Sequence, residues 1–110
     1  MSRTVPRAYV TAAWNKNPVL AREEAKRYCR ALVREGYLPI CPVLAFEGIF
    51  TPDIEDAHRS RREMEEDLLR RSRFLVICGS AQDEDVKDDI AIAKRAKVIV
   101  TTLEGVIGYE

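Results

Sequence analysis

The chain has no excess charge of either sign, because 18 basic residues balance 18 acidic ones over 110 positions. That balance argues against a protein that tracks a nucleic-acid polymer, which needs a basic excess or stripe, and favours a small ligand. Long hydrophobic runs are also missing. The stretches around 37–46 and 74–78 are too short or too interrupted to span a bilayer, and Met1-Ser2-Arg3-Thr4 lacks a signal-peptide apolar segment. A cytoplasmic protein that does not enter a membrane is expected.

Glycine and proline are scarce, at five each, while 46% of the residues are hydrophobic and 33% charged. That composition describes one globular domain over residues 1–110, with room for a single core. The three cysteines, Cys29, Cys41 and Cys78, lie far apart in sequence, which suggests neither a disulfide framework nor a zinc ligand set with close pairs. They read as small core residues. Cys78 is a nucleophile only with a base beside it, and His58 is the chain's single imidazole. No metal-ligand constellation and no glycine-rich dinucleotide fingerprint is visible, so no cofactor is implied.

The strongest pattern present is Phe74-Leu75-Val76-Ile77-Cys78-Gly79-Ser80, followed by Asp83-Glu84-Asp85 and a helical run from Val86 to Ala96. A continuous apolar run bounded by Gly-Ser reads as a strand buried on both faces. Acids just after it cap a helix at the strand's carboxyl end, where open α/β sheets bind ligands. Chemistry is therefore expected around Asp83 to Asp89.

Upstream, Arg7 to Ala13 reads as a strand, and Asn17-Pro18 as an N-cap followed by proline at the first helical position. Leu20, Ala21, Ala25, Tyr28, Cys29 and Leu32 give that helix its apolar face, Glu23 is spaced to pair with Arg27, and Gly36 closes it. Tyr37 to Val43 resumes a β pattern, but Pro39 and Pro42 each remove a ladder donor, which suits a strand near an edge. From Leu44 to Ala57 no period persists. Phe46 and Phe50 in that loop are candidates for a lid or for stacking on a base; equally, they plug the core's end or a dimer contact.

Ser60-Arg61-Arg62-Glu63 matches a capping box, with Met64, Leu68 and Leu69 as the inward stripe and Glu66–Arg70 and Asp67–Arg71 pairing outside. The next helix, from about Asp85 to Ala96, turns Val86, Ile90 and Ala93 inward, and Lys97 to Thr101 forms the fourth strand. Strands alternating with crossover helices predict an α/β three-layer sandwich with a four- to five-stranded, mainly parallel sheet, flavodoxin-like or Rossmann-like. Thr102 to Glu110 adds an edge strand, wraps the ligand site or joins a neighbouring subunit.

Several segments together carry a resemblance: Ala8-Tyr9-Val10-Thr11-Ala12-Ala13-Trp14, Ala25-x-x-Tyr28-Cys29-Arg30, Gly36-Tyr37-x-Pro39-Ile40-x-Pro42 and Asp85-Val86-Lys87-x-Asp89-Ile90-x-x-Ala93. From about Tyr9 to Val100 the chain resembles the small nucleoside 2-deoxyribosyltransferase-like proteins. The resemblance implies a homodimer or higher homo-oligomer with a nucleoside or nucleotide pocket at the strands' carboxyl ends. It also implies cleavage of an N-glycosidic bond by a carboxylate, with the sugar passed to another base or to water. Tyr9, Ala12, Trp14, Gly79 and Asp85 are then expected to line the ligand site. Family members usually carry Glu where this chain has Asp89, one methylene shorter, and a small residue where it has Asp85. Trp14 stands in a loop that is usually small, where it either obstructs the ligand or stacks on it.

An oxocarbenium-like transition state needs one carboxylate at the anomeric carbon and one donor for the departing base. Asp89, Asp85 and Glu65 are the candidate carboxylates, with Asp89 and Glu65 as the catalytic pair. Asp85 and Asp89 lie one helical turn apart, near one face. Simple capping is the alternative for Asp83, Asp85 and Asp88. His58 donates to a base or phosphate, or merely faces solvent; beside it Arg59, Arg61 and Arg62 match a 5′-phosphate, or pair with Glu63 and Glu65. Three function classes follow: a deoxyribosyltransferase or nucleotide N-glycosidase, a non-catalytic nucleotide sensor or sequestering module, and an oligomeric interaction protein.

Overall fold

The computed structural model describes residues 5–108. The leaderless start expected at Met1 to Thr4, and the last two residues of the C-terminal tail, lie outside them. Nine elements follow in order: β1 (Arg7–Ala12), α1 (Pro18–Arg34), β2 (Leu38–Ile40), α2 (Pro42–Ala45), α3 (Ala57–Arg70), β3 (Phe74–Cys78), α4 (Glu84–Arg95), β4 (Ile99–Thr102) and α5 (Leu103–Ile107). The four strands form one sheet in the order β2-β1-β3-β4, and every pairing is parallel.

Alternation along the strands builds the three layers. Ala8, Val10 and Ala12 of β1 and Val76 and Cys78 of β3 face one way, onto Ala25 and Leu32 of α1, with Leu44 and Val106 packed beside them. Tyr9 and Leu75 face the other way, onto Leu69 of α3 and Ile92 and Ala93 of α4. The sheet is thus a flavodoxin-like sandwich with α1, α2 and α5 on one face and α3 and α4 on the other. The chain leaves β1 for β2 on one side and returns past it to β3 on the other, which makes the gap between the carboxyl ends of β1 and β3 the topological switch point.

Local chemistry explains the helix ends. Asn17 Oδ1 accepts from the Val19 and Leu20 amides at 2.9 and 3.4 Å, and Pro18 sits at N1, where no donor is needed. At the other end the Tyr37 amide donates to the Leu32 carbonyl and the Gly36 amide to the Val33 carbonyl, with Gly36 at φ 88°. This is a Schellman closure, and its left-handed residue favours glycine. Asp83 caps α4 by accepting from the Asp85 and Val86 amides.

Strand β2 is at the edge, as Pro39 requires, but it is three residues long rather than running from Tyr37 to Val43. The Leu38 amide donates inward to Pro6, so the next backbone nitrogen faces the open side, and that residue is Pro39. Pro42 starts α2 instead of continuing the strand. The expected structureless loop from 44 to 57 is shortened by α2, and Thr51 donates to Asp53 within the turns that remain.

Helix α3 departs most from expectation. It begins at Ala57, after Asp56 in the left-handed region at φ 51°, with no side-chain cap; Ser60 lies inside the helix rather than opening it. Met64 is 51% exposed, while Leu69 is fully buried. The inward face carries Arg62 and Glu65 ahead of Leu69, so its first half is polar because it faces the switch point. Glu66–Arg70 and Asp67–Arg71 do pair on the outer face. In α1, Leu20 is half exposed, and Glu23 pairs with Lys26 instead of Arg27, whose guanidinium lies over the Tyr28 ring. Lys97, at φ 61°, belongs to the turn before β4, and residues 103–107 form α5 rather than a fifth strand.

Candidate functional site

A cavity of about 320 Å³ opens at the switch point, at the lower end of the range for small-molecule sites. Strand β1 supplies its floor with Tyr9, Thr11 and Ala12; α3 supplies His58, Arg61, Arg62 and Glu65; α4 supplies Asp85 and Asp89. Pro42 and Val43 of α2 form a further wall, and Trp14 stands at the mouth beyond β1. The Trp14 ring meets Tyr28 at 6.0 Å between centroids, tilted by 49°.

Asp89 is the centre of the arrangement. The stripe Val86, Asp89, Ile92 and Ala93 turns toward the sheet, so an aspartate occupies an inward position and is only 6% exposed. The Thr11 hydroxyl donates to its Oδ2 at 2.7 Å, and Arg62 Nη2 donates to its Oδ1 at 3.4 Å. Arg62 also holds Glu65 at 2.6 Å, and Arg61 Nε grips the same carboxylate at 2.9 Å. Arg61 reaches the Pro42 carbonyl at 3.5 Å, tying α3 to the α2 wall. Among the described residues every buried side-chain nitrogen and oxygen has a hydrogen-bond partner. The polar cluster is therefore held in place before any ligand arrives.

Burial pushes the Asp89 carboxyl above the ordinary aspartate range; the Thr11 hydroxyl and the Arg62 guanidinium pull it back, and the Glu65 charge pushes it further up. Burial likewise raises the Tyr9 phenol, helped by the charges of Asp89 and Glu65 and opposed by Arg62. Tyr9 is therefore a neutral hydrogen-bonding group at working pH. A carboxylate with a raised pKa beside a cation in a cleft is the sort of environment in which reacting groups are found.

Of the residues expected at the site, Asp89, Glu65, Tyr9, Ala12, Trp14, His58 and Asp85 line this cavity. Four do not. Arg59 points away and pairs with Glu63 at 3.3 Å on the exposed face, because its position falls on the outer side of α3. Phe46 and Phe50 pack edge-to-face on each other at 5.3 Å, and Phe46 borders a separate groove with Leu44 and Leu68. Gly79, at φ 80°, turns the chain after β3 beside the Tyr28 hydroxyl, on the α1 side of the sheet. In the other direction, the sequence did not single out Thr11; of the basic cluster it did offer, Arg61 and Arg62 line the cavity and pair with Glu65, the alternative expected for them. A threonine at the carboxyl end of an otherwise apolar strand is the available signal for Thr11.

Among the described residues no group of three or more His, Cys, Asp or Glu side chains is arranged to hold a metal ion. Among the same residues no helix is long and apolar enough to cross a membrane. Comparison with curated proteins gives no significant match. The profile of one family covers residues 6–103, the whole sheet and both of its helical layers apart from all but the first residue of α5, and the chain belongs to that family, described as Domain of unknown function (DUF7768).

Proposed function

We propose that the protein binds a nucleoside or nucleoside monophosphate in the switch-point cavity and cleaves or transfers its N-glycosidic bond through Asp89. The observation that carries this reading is the buried Asp89 carboxylate, anchored by Thr11 and Arg62 and facing a cavity of nucleoside size. The segmental resemblance to nucleoside 2-deoxyribosyltransferase-like proteins supports the same chemistry.

In this reading an Asp89 oxygen attacks C1′, the C1′–N bond breaks, and the base leaves with its electron pair, taking a proton from water or from His58. Water or an acceptor base then displaces Asp89 and completes hydrolysis or transfer. Arg62 keeps the attacking carboxylate ionised as the ligand excludes water, and the neutral Tyr9 phenol lines the floor beside it. Trp14 offers the base a stacking surface. Arg61 and His58, at the α3 side of the mouth, suit a 5′-phosphate, and Arg59 takes no part. A cytoplasmic location and a homo-oligomeric state belong to this proposal.

One observation favours a second reading, a binding module without turnover: both oxygens of Asp89 already have partners at rest. Liquid chromatography with mass detection separates the two. The purified protein is incubated with 2′-deoxynucleosides and their 5′-monophosphates, with an acceptor base present. Free or exchanged base that disappears in Asp89→Asn supports the enzyme. Thermal stabilisation by a nucleotide without any product supports the module, and neither result overturns both.

A further inference from the structure

Three thiols that stand far apart in the sequence gather on the α1 face of the sheet. Cys41 and Cys78 are core residues there, Cys29 packs against them from α1, and all three are free. Cys29 comes from α1 and Cys41 from the residue that opens α2, and both belong to the same packed core. They also share one wall of an apolar groove of about 540 Å³ that runs between β2, α2 and α3 past Ile40 and Leu44. A second groove beside α1 reaches Cys29 between Lys26 and Arg30. Both openings give small neutral molecules a route to the pair.

The thiols are not equivalent. The neighbouring Cys29 thiol holds the Cys41 thiol below its ordinary range, against the opposing effect of burial. Cys29 is pushed up by the adjacent Cys41 thiol and by burial, and burial pushes Cys78 up to about 12. Cys41 is the thiol of the pair that gives up its proton more readily, and Cys29 lines the same groove to resolve it.

We propose that Cys29 and Cys41 form a redox modification site, oxidised by a hydroperoxide to an intramolecular disulfide that ties α1 to the start of α2. The Cys41 thiolate attacks one peroxide oxygen; the O–O bond breaks, the leaving oxygen departs as water after protonation, and Cys41 becomes a sulfenic acid. The Cys29 sulfur then attacks the Cys41 sulfur and expels hydroxide, which leaves as a second water with the Cys29 proton. Two thiols have surrendered two electrons to one hydrogen peroxide. In a reducing compartment such a bond is transient, as a sensor requires. Cys41 immediately precedes Pro42 and Val43, two residues of the cavity wall, so the disulfide restrains that wall whatever the cavity binds.

The test uses hydrogen peroxide at neutral pH on the full chain, alkylation of remaining thiols in denaturant, and mass spectrometry of a tryptic digest without reductant. Trypsin leaves the cysteines on separate peptides, at residues 28–30, 35–59 and 74–87. The expected product joins the first two, accounts for most of Cys41, disappears with dithiothreitol, and leaves the third peptide alkylated. In Cys29→Ser, dimedone is expected to trap a sulfenic acid at Cys41. Linkage through Cys78, linkage between two chains, or alkylated Cys29 and Cys41 after peroxide overturns the proposal, as does a dimedone adduct at Cys78 in place of Cys41. The pairing is read on the natural chain, so it stands independently of how the variant folds.

Discussion

Replacing Asp89 by asparagine is expected to raise the stability of the protein at neutral pH. The carboxyl titrates at about 3.9 in an unfolded chain, whereas burial makes the folded protein hold that proton to higher pH. Between those two values the native state binds more protons than the unfolded state. Native stability therefore falls as pH rises through that window, and the deficit is complete above the folded pKa. The neutral amide removes it. The amide oxygen can accept from Arg62 and its NH₂ can donate to the Thr11 hydroxyl oxygen, so no buried group is left without a partner. What is lost is the charge attraction across the 3.4 Å contact to Arg62, which remains partly in water and keeps Glu65 at 2.6 Å. The net gain is of order 1 kcal/mol, the scale of relaxing one functional-site compromise. With about 2.1 cal/mol/K of unfolding entropy per residue, 110 residues convert that into a rise of roughly 4 °C in Tm. Calorimetry near neutral pH and again just below the ordinary aspartate pKa measures it. A variant that melts lower than the natural chain at neutral pH, or a gap that is the same at both pH values, refutes the reasoning.

Leu69→Ala empties a fully buried site where α3 meets the sheet, and is expected to cost about 2–5 kcal/mol, read as a lower midpoint in urea. Asn17→Ala removes the oxygen that caps two α1 amides and is expected to cost about 1 kcal/mol, seen as a Tm drop without change in the denaturant slope. Thr11→Val leaves Asp89 Oδ2 without its 2.7 Å donor; Tm is expected to fall at neutral pH and to recover toward the natural value in acid, where Asp89 is protonated. Arg61→Leu is expected to weaken monophosphate binding in calorimetric titration more than nucleoside binding, and Arg59→Leu to leave both unchanged.

Where local rules suffice, the sequence was readable. Asn17-Pro18 and Gly36 bracket α1 because capping depends on a few neighbouring residues, and the run from Phe74 to Cys78 declares β3 because both of its faces are buried. Pro39 and Pro42 signal an edge for the same reason, though only the structure divides them between a strand and a helix start. Helix α3 was misread because its inward half is charged: a periodicity search looks for apolar residues on that face and selects Met64, which faces solvent. Ser60 offered a familiar capping pattern that Asp56 pre-empts through backbone conformation alone. The partners of Asp89 lie 78 and 27 residues away in the chain, and no local pattern joins them. The same holds for the thiols, which read singly as core fillers and become a pair only because α1 crosses β2.

Pro39 has a consequence for how the molecule meets copies of itself. A fibre grows by stacking strand on strand and needs an adhesive row of amides on both flanks of the repeating unit. On the β2 flank the one outward-facing backbone nitrogen has no hydrogen to give, so that side ends any ribbon that reaches it. Lateral growth is left to β4, where Ile99 is half exposed. Two chains joined along that flank would present a blunted edge at each end, a pair that closes upon itself and does not elongate.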